Sequence, residues 1–174
     1  LKVIKNSIAQ IAPHYTMKRQ LDDYFTRFYC PMAARKATLV ADDCKKAREI
    51  AQWKETVAQR WDGIHVVSTE KEEDMVKGLV ETGKKYTVRH VVDEQGLENA
   101  VGIELVTTYV DEKGETRIKS VEPMNVVKKE GNLYTFELQH VMNTAGSYKV
   151  AYRIYPKNED LPHRQDFCYV KWFI

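Results

Sequence analysis

The hydrophobic pattern of this chain changes its period near residue 62, and this change limits the possible folds more than any other feature. Before it, apolar residues recur every three or four positions, as on one face of a helix. After it, apolar and polar residues alternate, as along strands with one buried face. The sequence therefore predicts an α+β protein, with an α-helical segment over residues 1–62 and an antiparallel β domain over residues 63–174.

Three helices are predicted in the first segment. The first ends at Pro13, because proline lacks the backbone N–H that a helix needs. The second begins at Thr16, a residue suited to the N-cap, and is stopped or kinked at Pro31. The third spans residues 38–61, with one apolar side that includes Val40 and Cys44. The apolar stripe of the second helix is formed by Met17, Leu21, Tyr24, Phe25 and Phe28.

The second segment carries a series of short strands joined by turn-like links. No long helical pattern separates them, which favours a β-sandwich of the immunoglobulin or fibronectin type. Alternation predicts that Tyr134, Phe136 and Leu138 share one face. Tyr148 follows a turn and resembles the tyrosine corner of such sandwiches, with a buried ring and a hydroxyl bonded to backbone. The predicted strands are residues 64–67, 84–92, 101–110, 116–121, 126–128 with 133–140, 147–155 and 166–173.

Charge and composition exclude several classes of partner. The 27 basic and 25 acidic residues give a net charge of +2, which predicts no strong attraction to nucleic acid or to an anionic membrane. No apolar run approaches the roughly 18 residues of a membrane span. Cys30, Cys44 and Cys168 are far apart, which favours reduced thiols in a cytoplasmic protein. Because the chain starts at Leu1 within a helical pattern, we interpret it as a piece of a longer polypeptide.

The sequence lacks the usual marks of catalytic chemistry. Its five histidines have no metal-ligand spacing, and no nucleophile elbow, dinucleotide fingerprint or phosphate loop is present. We therefore predict no catalytic, cofactor-binding or metal-binding residue. Four aromatic residues could form a sugar-stacking platform, because sugars present apolar C–H faces to flat rings; the alternative is that these rings fill the core. They are Tyr109, Tyr155, Tyr169 and Trp172.

Two stretches carry a resemblance to a known family. Residues 6–29, with Tyr15, Thr16, Arg19 and Tyr24 at matching positions, resemble the end of the catalytic body of bacterial and archaeal-type α-glucan phosphorylases. The chain from residue 146 to its end is similar to the terminal β segment of the same family. Such glycosyltransferases transfer glucosyl units from α-1,4-glucan to phosphate, giving glucose 1-phosphate. Their pyridoxal phosphate is held by a lysine in upstream Rossmann-like domains, so the resemblance implies no cofactor in this chain.

Three hypotheses follow from the residues and the resemblance. In the first, the chain is the non-catalytic C-terminal portion of an α-glucan phosphorylase, inactive alone and packed on the upstream catalytic domains of the same polypeptide. In the second, the β domain is an accessory module that binds α-glucan. In the third, it is a structural or oligomerisation domain, with self-association through the N-terminal helices. Exposed aromatic rings on one sheet face would favour binding.

Overall fold

A computed structural model describes residues 1–174, which form two compact units, residues 1–52 and 53–174. The first is helical, and the second, called here the two-sheet unit, holds all the strands. The two-sheet unit begins at Trp53, before the predicted boundary at residue 63, because Val57 and Trp61 of the last helical turns belong to its core. None of the helices is long and apolar enough to cross a membrane.

The helical unit follows the predicted order but not all the predicted ends. Thr16 is the N-cap of α2, as predicted, and its hydroxyl oxygen accepts the backbone N–H of Arg19 at 3.2 Å. Pro13 lies in the first turn of a 3-10 helix, where its missing N–H is not needed. The elements are α1 (Lys2–Asn6), a π-helical turn (Ser7–Ile11), a 3-10 turn (Ala12–Tyr15), α2 (Met17–Tyr24), a second π-helical turn (Phe25–Tyr29) and α3 (Cys30–Arg60).

Two predictions about α3 are wrong. Pro31 does not stop the helix: the π-helical turn Phe25–Tyr29 continues directly into α3 through Cys30, which has helical φ and ψ of −63° and −49°. The helix therefore begins at Cys30 and not at residue 38. Its path is also broken, since Asp42 and Asp43 have φ of 51° and 54° and Cys44 has φ of 61°. This break interrupts the apolar side that was predicted to run through Val40 and Cys44.

The two-sheet unit contains a short helix and eight strands in two antiparallel sheets. One sheet has the order β1-β2-β6-β5 and the other the order β4-β3-β7-β8. Every predicted strand segment contributes to a sheet, although only three residues of the last one do so. The elements are β1 (His65–Lys71), α4 (Glu73–Val76), β2 (Lys85–Asp93), β3 (Val101–Val110), β4 (Thr116–Pro123), β5 (Asn125–Glu130), β6 (Leu133–Val141), β7 (Lys149–Pro156) and β8 (Lys171–Phe173).

One hydrophobic core is shared by the two sheets. Tyr134, Phe136 and Leu138 of β6 are buried in it, as alternation predicted. Tyr152 and Ile154 of β7 enter the same core from the other sheet. Burial of one such side chain contributes about 1.5–3 kcal/mol, so this shared core accounts for much of the stability of the unit.

The prediction of a tyrosine corner at Tyr148 is wrong in its main feature, because the ring is only half-buried. Tyr148 precedes β7 and lies beyond the end of the core. Its hydroxyl accepts a hydrogen bond from Lys119 Nζ at 2.6 Å and donates a long one, 3.4 Å, to the carbonyl of Ala145. The Lys119 ammonium also lies 4.1 Å from the ring centroid.

Candidate functional site

The candidate site lies on the outer face of the β4-β3-β7-β8 sheet. Since Tyr152 and Ile154 point into the core, the intervening Arg153 and the following Tyr155 point outward. The strand register places Arg153 between Glu104 on β3 and Trp172 on β8. A carboxylate, a guanidinium and an indole therefore form one row across three neighbouring strands.

The ring of Tyr155 is positioned by a glycine on the adjacent strand. Gly102 pairs directly with Tyr155. A Cβ atom at Gly102 would lie 2.5 Å from Cζ of Tyr155, far inside van der Waals contact. The tyrosine ring thus lies across the bare backbone of β3, an approach that only glycine permits.

Glu104 connects the sheet to the loop between β7 and β8. Its side chain is 1% exposed and bonds to Arg153 Nε. Arg164, from a 3-10 turn in that loop, donates through one terminal nitrogen to both carboxylate oxygens, at 2.8 and 2.7 Å. A buried carboxylate requires such partners, because desolvation without them is costly. Two guanidinium groups facing one carboxylate leave the cluster with a net positive charge.

Both guanidinium groups also lie against aromatic rings. The Arg164 guanidinium is 3.9 Å from the centroid of Tyr155, and the Arg153 guanidinium is 5.4 Å from the Trp172 ring. Burial raises the pKa of the Tyr155 hydroxyl above its usual value, since the phenolate is disfavoured there. The phenol is therefore neutral at physiological pH and available as a hydrogen-bond donor.

An open cavity of about 400 Å³ lies beside this cluster, within the size range of ligand sites. Three of the four aromatic residues proposed from the sequence, Tyr155, Tyr169 and Trp172, line it together with Arg153 and Arg164. The Trp172 side chain is 55% exposed, whereas the Tyr169 ring also packs 5.3 Å from Trp61. The fold therefore gathers residues from β7, β8 and their connecting loop around one cavity.

Tyr109, the fourth aromatic residue, lies elsewhere. It stands near the end of β3 beside a separate depression that is also lined by Ile118, Lys119 and Tyr148. Tyr109 is partly exposed but shares no cavity with Tyr155, Tyr169 or Trp172.

The sequence reasoning missed Glu104, Arg153 and Arg164. Glu104 is the only charged residue within the buried part of β3, and this was the one signal available for it. Arg164 lies 60 positions away in a loop, and nothing local indicates that the two residues meet.

Two other titratable groups are buried in the interior of the unit. Burial, with a smaller effect of the Lys71 charge, lowers the pKa of His90 to about 4. Burial raises the pKa of Glu94 to about 7, although the backbone N–H of Asn99 donates to this carboxylate at 2.7 Å. Neither residue lines the cavity beside Trp172, and no group of three or more His, Cys, Asp or Glu side chains is placed to hold a metal ion.

The arrangement is suited to binding rather than to bond cleavage. It combines flat aromatic faces with fixed guanidinium donors, the mixture of apolar surface and a few convergent polar groups that is typical of ligand sites. Its one carboxylate, Glu104, is buried and already bonded to two arginines. A general acid or base must reach the substrate, and Glu104 does not line the cavity.

Comparisons with known proteins agree with the sequence resemblance. The model of the family described as the glycogen phosphorylase C-terminal domain matches residues 61–174. The chain is 25% identical over 192 residues to the maltodextrin phosphorylase of Thermococcus litoralis, an alignment that covers 98% of this chain and 20% of that protein. The chain thus spans about a fifth of the length of this relative, and no solved structure matches it. The family match covers most of the chain, which therefore belongs to the glycogen phosphorylase C-terminal domain family.

Proposed function

We propose that this chain is the C-terminal, non-catalytic portion of an α-glucan phosphorylase and that it packs on and completes the catalytic body. The complete cytoplasmic enzyme would transfer glucosyl units from α-1,4-glucan to phosphate, giving glucose 1-phosphate. The family match supports this assignment for the two-sheet unit. The alignment with the maltodextrin phosphorylase supports it for the helices as well, because it covers nearly the whole chain.

The observation that carries the packing role is an uncovered apolar stripe on the helical unit. No residue of α1, α2 or the two π-helical turns is buried. An amphipathic helix gains its stability by burying such a face against another element. We assign the upstream catalytic part of the same polypeptide as that element. The stripe consists of Ile4, Ile8, Ile11, Met17, Leu21, Tyr24, Phe25 and Phe28.

Pyridoxal phosphate would be held by that upstream part, because the residues of this chain do not fit it. Burial lowers the pKa of Lys71, as is usual for a Schiff-base lysine. However, the Lys71 ammonium lies 5.2 Å from the centroid of Tyr152, whose ring is itself packed against His90 and Phe173. These core rings occupy the surroundings that a cofactor ring and its phosphate would need.

Phosphorolysis assays on two proteins test the assignment. The purified chain, incubated with maltodextrin, phosphate and pyridoxal phosphate, should release no glucose 1-phosphate, whereas the full polypeptide should release it. Leu21→Glu with Phe25→Glu in the full polypeptide should lower the yield of folded, active enzyme. Gln20→Glu, which adds a charge at an exposed side chain of the same helix without breaking its ion pairs, is the matched control. Glucose 1-phosphate formed by the chain alone would refute the proposal.

A second function, an accessory site for α-glucan, is favoured by the gathering of Tyr155, Tyr169 and Trp172 around one cavity. A maltodextrin titration followed by calorimetry tests it, since the heat of binding does not depend on a tryptophan signal. Trp172→Ala should abolish binding, whereas Tyr109→Ala, on the same sheet but away from the cavity, should retain it. Equal binding by both variants would exclude this cavity as the site.

We also propose that the two sheets form an immunoglobulin-like sandwich. Lettered in chain order, with β4 as C′, the strands give the sheets A-B-E-D and C′-C-F-G. Immunoglobulin constant domains have sheets A-B-E-D and C-F-G, so the order differs by one added edge strand. An experimental structure in which the sheets pack at about −30° would support this assignment, and an orthogonal packing would contradict it.

A further inference from the structure

We infer that a linear α-glucan crosses two adjoining subsites on this surface, with the stacked Tyr155–Arg164 pair at the border between them. This inference rests on the proposed accessory function. The first subsite is the cavity beside Trp172 and Tyr169. The second is a neighbouring cavity of about 270 Å³, lined by Leu161 and His163. Tyr155 and Arg164 line both cavities, so one ligand in contact with this pair can enter both.

The size and openness of the cavities favour an extended ligand. The second cavity is slightly smaller than the 300–1,000 Å³ of typical ligand sites, and the first lies near the lower limit. Both are open clefts, so a single sugar in either one would remain partly in contact with solvent. A chain of several sugars that crosses the Tyr155–Arg164 pair would cover Trp172 on one side and Leu161 on the other, which one ring held in either cleft would not.

Hydrogen-bond donors suited to hydroxyl groups are present in both subsites. In the first, Arg153 donates to Glu104 through Nε, and its two terminal nitrogens carry four further N–H donors. In the second, His163 Nδ1 accepts the backbone N–H of Gln165 at 3.1 Å. The neutral imidazole therefore carries its proton on Nε2 and can donate from there. Leu161 adds an apolar surface beside it.

Glu104 acts as the positioning residue of this surface. It holds Arg153 from the sheet and Arg164 from the loop with one buried carboxylate. Because Arg164 in turn covers the Tyr155 ring, the border between the subsites is fixed before any ligand arrives. Such preorganisation lowers the entropic cost of binding.

Calorimetric titration of the chain with glucose 1-phosphate, maltose, maltotriose and maltohexaose tests the inference. We expect maltohexaose to bind about tenfold or more tightly than maltose, since only the longer sugar spans both subsites. Leu161→Ala with His163→Asn should reduce the affinity for maltohexaose to that for maltose while leaving maltose unchanged. The asparagine removes the Nε2 donor, but its amide oxygen can still accept the Gln165 N–H that caps the turn carrying Arg164. Trp172→Ala should weaken both, and Tyr109→Ala is the control. Thermal melts would verify that every variant is folded.

The outcomes separate this inference from the function on which it rests. Equal affinities for maltose and maltohexaose would overturn the two-subsite inference and leave the accessory function standing. Binding of none of the four compounds would overturn both. Tighter binding of glucose 1-phosphate than of maltohexaose would also overturn the inference, because the site would then recognise a sugar phosphate. An unchanged preference for maltohexaose in the Leu161→Ala, His163→Asn variant would exclude the second cavity.

Discussion

Gly102 shapes the outer face of its sheet by lacking a side chain. Its neighbour across the strands, Tyr155, can lie flat on the backbone only because no Cβ is present. The ring in that position then supports the Arg164 guanidinium, which reaches Glu104. A glycine inside a strand weakens the strand by itself, so the stacked cluster offsets this cost.

Replacement of Gly102 by alanine should therefore destabilise the two-sheet unit. The added methyl group would displace the Tyr155 ring, and we expect a loss of about 1–3 kcal/mol, as for other overpacked sites. In a Tyr155→Ala background the same change should be neutral or stabilising by about 0.5–1 kcal/mol, because alanine suits a strand better than glycine. Urea unfolding of the four proteins in this cycle measures the coupling. An equal loss of stability from Gly102→Ala in both backgrounds would contradict a contact between position 102 and the Tyr155 ring.

The buried carboxyl group of Glu94 should give the stability a distinct pH dependence. Its folded-state pKa of about 7 lies above the ordinary value of 4.5. Glu94 therefore contributes its full share to the free energy of unfolding below pH 4.5, and this share is lost as the pH rises to 7. His90, with a pKa lowered to about 4, has the opposite effect, and its contribution is lost as the pH falls from 6.5 to 4. The two effects oppose each other between pH 4.5 and 6.5.

Glu94→Gln should remove one of these effects. Relative to the unmodified chain, the variant should become more stable as the pH rises from 4.5 to 7, by up to about 3 kcal/mol. Chemical denaturation at several pH values measures this difference, with Glu98→Gln as an exposed control. A difference between Glu94→Gln and the unmodified chain that stays constant with pH would refute a buried, neutral Glu94.

At the scale of elements, the helices and the strands differ in what stabilises them. The helix α2 has eight residues, none of them buried, and its local support comes from the Thr16 cap and from i,i+4 ion pairs such as Lys18–Asp22. Isolated helices of this length are marginal in water. By contrast, β7 lies between two strands and carries core residues such as Tyr152.

Hydrogen exchange should reveal this difference in the chain alone. We expect the amides of α2 (Met17–Tyr24) to exchange much faster than those of β7 (Lys149–Pro156), because opening α2 exposes no buried side chain. Mass spectrometry on a dilute monomer would measure both segments in one experiment. Equal protection of the two segments would show that α2 already packs on a partner within the chain.

At the scale of the whole molecule, the uncovered stripe of the helical unit should make the chain self-associate. Large exposed apolar faces tend to find partners, and here Leu21, Phe25 and Phe28 are each more than half exposed. Sedimentation velocity should show a mass that increases with concentration. Leu21→Glu with Phe25→Glu should restore the monomer, whereas Gln20→Glu, an added charge at another exposed position of α2, should not. A chain that stays monomeric at every concentration would contradict the prediction that these apolar residues drive self-association.

The type and order of the elements followed from local pattern, with identifiable exceptions. The strands from residues 84 to 155 lie close to their predicted positions, because the alternation of side chains is a local property of a strand. The break at residues 41–44 was missed because Ala41, Asp42, Asp43 and Cys44 include no glycine or proline to mark it. The segment 166–173 was predicted as one strand, but most of it belongs to the loop that holds Phe167 and Tyr169.

The sequence by itself determined the class of the fold, the shared buried face of Tyr134, Phe136 and Leu138, and the resemblance to α-glucan phosphorylases. Only the tertiary structure decided which aromatic rings share a cavity. A period of two tells which face a residue occupies, but strand neighbours and register depend on pairings between distant segments. Because β7 lies between β3 and β8, Tyr155 and Trp172 came together with Glu104, while Tyr109 remained apart near the end of its strand.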